Sequence, residues 1–169
     1  MKLVIPLIFV ASSSWATCGG YDQTFLYCQI ENNEKILSVC FDDESAIYRF
    51  GPAMDAPELE LTTSIAKLNY TPWLGVGSAI WEEVVFFNEG YSYTAITGLL
   101  RIFPDDNETV IGEKHFGGVI VHRGSVQIAD LTCDPATITH DWVGGLSHAK
   151  NNLGLIWNYD ERDWVALPD

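Results

Sequence analysis

The dipeptide His140-Asp141 is the pair whose residue types best fit catalysis. An imidazole can act as a general base, and a neighbouring carboxylate can orient it, as the hydrolysis of an ester or amide requires. A carboxylate at this position can equally cap a helix by accepting backbone N–H groups. The cap is the preferred interpretation, and an envelope hydrolase that uses His140 stays as an alternative.

Paired carboxylates are a second source of chemistry in this acidic chain. Glu82 and Glu83 are adjacent in a predicted strand, so their side chains point to opposite faces. Solvated charge is therefore a simpler interpretation than a glycosidase pair. The acidic run at 105–108 lacks the spacing and the glycine of an EF-hand, which favours a solvated turn over a calcium site. Asn107 begins a match to the N-glycosylation pattern, and neither a metal nor a cofactor is predicted.

Tryptophan is abundant, with six residues in the chain. Some of these side chains must fill a core, and a surplus at the surface would suit a protein or sugar partner. Trp73 is the strongest candidate for exposure, because it lies beside Pro72 and just before the glycine-containing stretch 75–77. The predicted binding surface consists of Trp73, Ser78 and Trp81, with Glu82 on its rim.

The chain has four cysteines, and their even number in an exported protein predicts two disulfides. Three pairings are possible. The preferred one joins Cys28 to Cys40 across a hairpin that turns at 31–34. The second bond would then join Cys18 to Cys133 and tie the N-terminal arm to a late strand.

The N-terminus has the layout of a signal peptide. Lys2 supplies one positive charge, residues 3–11 are an apolar run, and small residues lead to Ala16. The apolar run is too short to span a membrane, so we expect no membrane insertion of the mature chain. Cleavage after residue 16 would place the protein in the periplasm or outside the cell.

The net charge of −14 limits the partners. Nucleic-acid phosphates and anionic membrane surfaces would repel such a protein. A cationic protein or a glycan is the expected partner.

The pattern of hydrophobic residues predicts a mainly β protein. Short apolar or alternating runs are separated by turn residues. We predict eight strands at 25–30, 35–41, 46–50, 58–62, 78–87, 91–103, 116–122 and 125–133. These would form an antiparallel β-barrel or sandwich over 17–138. The tryptophan-rich extension 139–169, with a short helix at 140–150, is expected to pack onto it.

Several segments resemble a group of small exported bacterial proteins of unknown function. They are Tyr27 beside Cys28, the strand from Lys35 to Cys40, Tyr48-Arg49-Phe50-Gly51 followed by Pro57-Glu58-Leu59, and the closing run from Val126 to Asp134. The resemblance covers most of residues 28–138 and excludes the tryptophan-rich tail.

The predicted architecture is also similar to that of the membrane-bound or periplasmic inhibitors of chicken-type lysozyme. Those are small, disulfide-linked β-barrels that place a serine-bearing loop, with a basic residue from elsewhere, in the active cleft of the enzyme. The nearest match to that loop here is 75–81, which contains Ser78 and ends in Trp81. The resemblance implies an exported, non-enzymatic inhibitor of a cationic peptidoglycan-degrading enzyme. The alternatives are a glycan-binding or structural envelope module and the hydrolase that uses His140.

Overall fold

The computed structural model describes residues 18, 20–53, 55–104, 109–141 and 145–167. The described chain is mainly β, with eleven antiparallel strands in three sheets and one α-helix. The strands are β1 (Gln23–Gln29), β2 (Lys35–Phe41), β3 (Ser45–Pro52), β4 (Leu59–Ser64), β5 (Asn69–Thr71), β6 (Ala79–Asn88), β7 (Tyr91–Ile102), β8 (Gly112–Arg123), β9 (Val126–Thr132), β10 (Leu155–Asn158) and β11 (Asp163–Ala166). The helix α1 spans Gly145–Asn152.

Each of the eight predicted strands overlaps an observed one, in β1–β4 and β6–β9. The short strands β5, β10 and β11 were not predicted. The strand expected at 116–122 begins earlier, at Gly112, because β8 pairs with β7 along its whole length. The helix expected at 140–150 begins at Gly145, within the Gly144-Gly145 pair that weakens a helix.

Two meanders share one core. Strands β1–β4 form a four-stranded sheet in chain order, and β5–β9 form a five-stranded sheet. Buried side chains from both sheets, among them Tyr48 on β3 and Phe86 on β6, belong to a single apolar cluster. The prediction of a mainly β, antiparallel fold is confirmed, but the described strands lie in three sheets and do not close into the barrel that was one of its two forms.

The outer edge of β1 is covered by the segment that follows β9. Tyr27 and Thr139 exchange two backbone hydrogen bonds of 2.8 Å, and Asp134 N donates to Gln29 O. Unpaired strand edges invite association with other chains, so this cover keeps β1 out of such contacts.

All four cysteines form disulfides, but the preferred pairing is wrong. Cys18 is bonded to Cys40, and Cys28 is bonded to Cys133. The register of the β1–β2 hairpin explains the difference. It places Cys40 opposite Thr24 and Cys28 opposite Leu37, so the two cysteines of the hairpin lie at different positions along it.

The segment Tyr48-Arg49-Phe50-Gly51, one of those that resemble the bacterial group, makes packing contacts in this fold. Tyr48 packs against Phe86 in the core, and Arg49 forms an ion pair with Glu60. Gly51 is needed because a Cβ there would lie 2.9 Å from the Cα of Pro57.

Candidate functional site

The loop at 72–78, between β5 and β6, is anchored by Arg101 on β7. The guanidinium donates from Nη2 to the backbone carbonyl oxygen of Gly77 at 2.6 Å and from Nε to that of Ser78 at 3.4 Å. The same group lies over the Trp73 ring, 5.9 Å from its centroid. Trp73 in turn donates from Nε1 to the Val76 oxygen at 3.3 Å. These contacts fix the shape of a loop whose tip faces solvent.

Two glycines let this loop turn. Gly75 and Gly77 have φ angles of 82° and 91°, a backbone region that glycine adopts without steric cost. A cation from a neighbouring strand then satisfies the carbonyl groups that the turn directs outward. The glycine-containing stretch was visible in the sequence, whereas the role of Arg101 depends on the pairing of β6 with β7.

Exposed apolar side chains occur in this loop and at the ends of β7 and β8. Val76 is 74% exposed and Ile111 is 66% exposed. We call the following set the end patch: Trp73, Val76, Ile102, Phe103, Val110 and Ile111. The backbone bond from Ile111 N to Ile102 O holds its two sides together at 2.9 Å. Exposed apolar side chains that lie close together mark an interaction site in many proteins.

The structure divides the predicted binding surface. Trp73 and Ser78 lie together in the anchored loop, while Trp81 lies on the outer face of β6. Glu82, which was predicted on the rim of this surface, lies on the inner side of the sheet. Val84 and Phe86 are buried, so strand alternation turns Glu82 to the same inner side. Glu83 points outward and accepts a hydrogen bond from the Thr71 hydroxyl at 3.2 Å.

Glu82 belongs to a polar chain beside the core. The Tyr70 hydroxyl donates to Glu82 Oε1 at 2.8 Å and lies 3.1 Å from the Ser147 hydroxyl. Since Tyr70 has one hydroxyl proton, Ser147 is the donor in the second bond. Burial raises the pKa of Glu82, and the Tyr70 hydrogen bond partly opposes that shift. These two hydrogen bonds connect α1 to β5 and β6.

Lys150 on α1 is a buried amine, only 1% exposed. Its Nζ lies 5.3 Å from the ring centroid of Trp164. The Trp164 ring stacks on the Tyr70 ring and donates from Nε1 to the backbone carbonyl oxygen of Tyr70 at 2.8 Å. Burial lowers the pKa of Lys150 to about 8, and nearby Asp163 opposes the shift. The tail thus packs on the sheet through Trp164.

Ser147 and Lys150, which were not among the predicted site residues, have the Ser-x-x-Lys spacing that serves nucleophilic catalysis in some enzymes. In this fold, Ser147 bonds to Tyr70 and the Lys150 amine faces the Trp164 ring. The arrangement ties the helix and the tail to the sheet. The spacing itself was the signal that could have identified these two residues.

His140 and Asp141 lie beside β1 and β8, where each contacts a different neighbour. Asp141 Oδ2 accepts the backbone N–H of Thr24, in β1, at 2.8 Å. The His140 ring lies 5.0 Å from that of His115. Burial and the neighbouring His115 lower the pKa of His140 to about 4, against the opposing charges of Asp141 and Glu113.

Some predictions fall outside the described residues. These are the signal peptide at 1–16, the acidic run at 105–108 with its glycosylation pattern, and Trp142. Within the part that is described, no group of three or more His, Cys, Asp or Glu side chains is arranged to hold a metal ion. The same residues include no helix with the length and hydropathy needed to cross a membrane.

Comparison of the chain with protein-family models, with curated proteins and with solved structures gave no match. The function proposed below therefore depends on the geometry and charge of this chain and on the resemblance drawn from its sequence.

Proposed function

We propose that this protein is an exported, non-enzymatic inhibitor of a cationic peptidoglycan-degrading enzyme, and that loop 72–78 enters the cleft of that enzyme. The observation that carries the proposal is the loop anchored by Arg101 beside the end patch, in a chain of net charge −14.

Charge acts at two distances in this proposal. At long range, the negative charge of the whole chain steers it to a cationic protein and raises the association rate. At short range, Arg101 approaches the enzyme cleft, where glycoside hydrolases carry a pair of carboxyl groups. Its guanidinium has five N–H donors, and the bonds to Gly77 and Ser78 use only part of them. The end patch supplies the apolar contact around this polar centre.

The two disulfides support an exported role. Disulfides persist in the periplasm and outside the cell, where an enzyme that degrades peptidoglycan is also encountered. A fixed loop is an advantage for an inhibitor, because less conformational entropy is lost on binding.

The test is a titration of the oxidised protein with chicken-type lysozyme, followed by calorimetry and by the rate of cell-wall lysis. We expect tight binding in low salt, weaker binding in high salt, and loss of lysis at saturation. Trp73→Ala and Arg101→Gln should each weaken binding by at least about tenfold, because each removes part of the loop's anchor.

Matched controls are available elsewhere on the surface. Arg123 lies over the Tyr91 ring, 5.3 Å from its centroid, much as Arg101 lies over Trp73. Tyr159 is an aromatic residue that is 66% exposed. Arg123→Gln and Tyr159→Ala should bind as the wild type does. Absence of lysozyme binding, or unchanged binding by both loop variants, would overturn the proposal.

A further inference from the structure

The outer face of the five-stranded sheet carries an aromatic row that the proposed function does not use. The register places Trp81 on β6, Gly98 on β7 and Phe116 on β8 side by side. Strand alternation turns all three away from the core, since Glu82, Thr97 and Gly117 occupy the inner side. Trp81 and Phe116 are half-buried, so their rings lie against the sheet and remain partly open to solvent.

Gly98 makes this row flat. A Cβ at Gly98 would collide with Cζ of Phe116, so the Phe116 ring lies across the glycine and covers it. With any larger residue at this position the ring would have to move. The three positions therefore form one low apolar strip, with an aromatic residue at each end.

Polar groups flank the strip. On one side of the strip, Glu83 on β6 lies opposite Ile96 on β7. On the other side, Leu100 on β7 lies opposite Lys114 on β8. Rows on one face of a strand are about 7 Å apart and neighbouring strands about 5 Å, so the three rows span about 13 Å by 10 Å. We define these residues as the platform: Trp81, Glu83, Ile96, Gly98, Leu100, Lys114 and Phe116.

We infer that the platform binds a neutral or amino-bearing glycan chain. The C–H face of a sugar ring packs on aromatic rings, while its hydroxyl groups can bond with the Glu83 carboxylate and the Lys114 amine. The area is long enough for more than one ring of a linear chain. This site is separate from loop 72–78 and would serve whether or not the protein inhibits a lysozyme.

The charge of the chain selects among the possible occupants of this face. A second copy would bring another −14 against the first, which opposes association through the platform. Anionic lipids and acidic polysaccharides are disfavoured for the same reason. A neutral or cationic sugar avoids this repulsion and still gains the apolar contact.

The test uses chitotetraose as the probe, with tryptophan fluorescence and NMR of the indole N–H groups as readouts. We expect a saturable fluorescence change and a shift of the Trp81 resonance. Trp81→Ala should weaken binding by at least about tenfold, and Glu83→Gln should weaken it by a smaller factor. Phe87→Ala is the matched control, because Phe87 lies on the same outer face near the opposite end of β6 and is 67% exposed.

Several outcomes would overturn the inference. They are absence of saturable binding by the wild type, unchanged binding by Trp81→Ala, equal binding of an oligogalacturonate of the same length, and a dimer in solution that Trp81→Ala dissociates. Thermal unfolding of each variant verifies the fold, and Trp81→Phe should retain part of the affinity if Trp81→Ala does not fold. Lysozyme binding is measured in parallel. Its loss in Trp73→Ala but not in Trp81→Ala separates the two sites, and the reverse result would assign the platform to the protein partner.

Discussion

The Tyr70 hydroxyl donates to Glu82 Oε1 at 2.8 Å and thereby holds a half-buried carboxylate beside the apolar core. Burial raises the pKa of Glu82, so the folded chain binds this proton more tightly than the unfolded chain does. The contribution of Glu82 to the free energy of unfolding therefore increases as the pH falls through the pKa that Glu82 has in the folded chain.

Glu82→Gln should stabilise the protein at pH 8 by about 1 kcal/mol, because a neutral amide can accept the Tyr70 hydrogen bond without the penalty of a buried charge. The advantage should shrink as the pH is lowered towards 5. Urea unfolding at both pH values measures it. Glu83→Gln, the same substitution on the outer face, should change stability by less than about 0.5 kcal/mol. An advantage that grows at low pH would contradict the inward, buried position of Glu82.

The two disulfides should differ in their contributions to stability. Cys28 and Cys133 are separated by 105 residues, and Cys18 and Cys40 by 22. In the chain-entropy description, closing the longer loop stabilises the fold by about 4.8 kcal/mol and closing the shorter one by about 3.4 kcal/mol.

We therefore expect the double variant Cys28→Ala/Cys133→Ala to unfold at lower urea concentration than Cys18→Ala/Cys40→Ala. Both residues of each bond are replaced, so that neither variant has a free thiol. Non-reducing peptide mapping should find the same two pairs in the wild type. A Cys28–Cys40 peptide would overturn the observed register of the β1–β2 hairpin.

Gly51 should be intolerant of a side chain. A Cβ there would lie 2.7 Å from the Glu58 nitrogen and 2.9 Å from the Pro57 Cα, and both are backbone atoms that cannot rotate away. Gly51→Ala should lower the free energy of unfolding by about 1–3 kcal/mol. Gly112→Ala is the control, because its nearest neighbour would be the Ile102 side chain at 3.8 Å. Thermal unfolding should rank the two variants in this order, and equal midpoints would contradict the close approach at Gly51.

The eight main strands were predictable because their apolar residues recur in runs bounded by turn residues. Strand β5 was not, since Asn69–Thr71 is only three residues long and has one buried side chain. The pair of strands β10 and β11 lies in the tail, where the many aromatic residues obscure the alternation of apolar and polar side chains. A strand can be predicted from the pattern of its own residues. Its place in a sheet cannot, because that depends on partner strands that are distant in the chain.

The candidate site shows the same limit. Trp73 and the glycines at 75 and 77 were visible as a loop, but Arg101 is brought to them only by the β6–β7 register. Alternation required Glu82 and Glu83 to face opposite ways and could not decide which one faces the core. The outcome depended on Val84 and Phe86, which are buried on the side shared with Glu82.

His140 should make the fold sensitive to acid. Its pKa in the folded chain is about 4, below the ordinary value of 6.5, because of burial and the neighbouring His115. Between these values the unfolded chain binds the proton and the folded chain does not, so the free energy of unfolding falls as the pH drops from 6.5 to 4. Allowing for solvent screening, we expect this histidine to account for about 1–2 kcal/mol of that fall.

His140→Gln should therefore lose less stability than the wild type over this range, as measured by urea unfolding at pH 7 and pH 4.5. His122→Gln removes another histidine, on β8, and should follow the wild type. An NMR titration of the His140 ring gives an independent value for its pKa. If that pKa lies near 6.5, or if His140→Gln loses as much stability as the wild type, the ring is not held in the half-buried position beside His115. Either result would also contradict the position of the segment that covers the edge of β1. Thr139 and Asp141, the neighbours of this histidine, make hydrogen bonds to that edge.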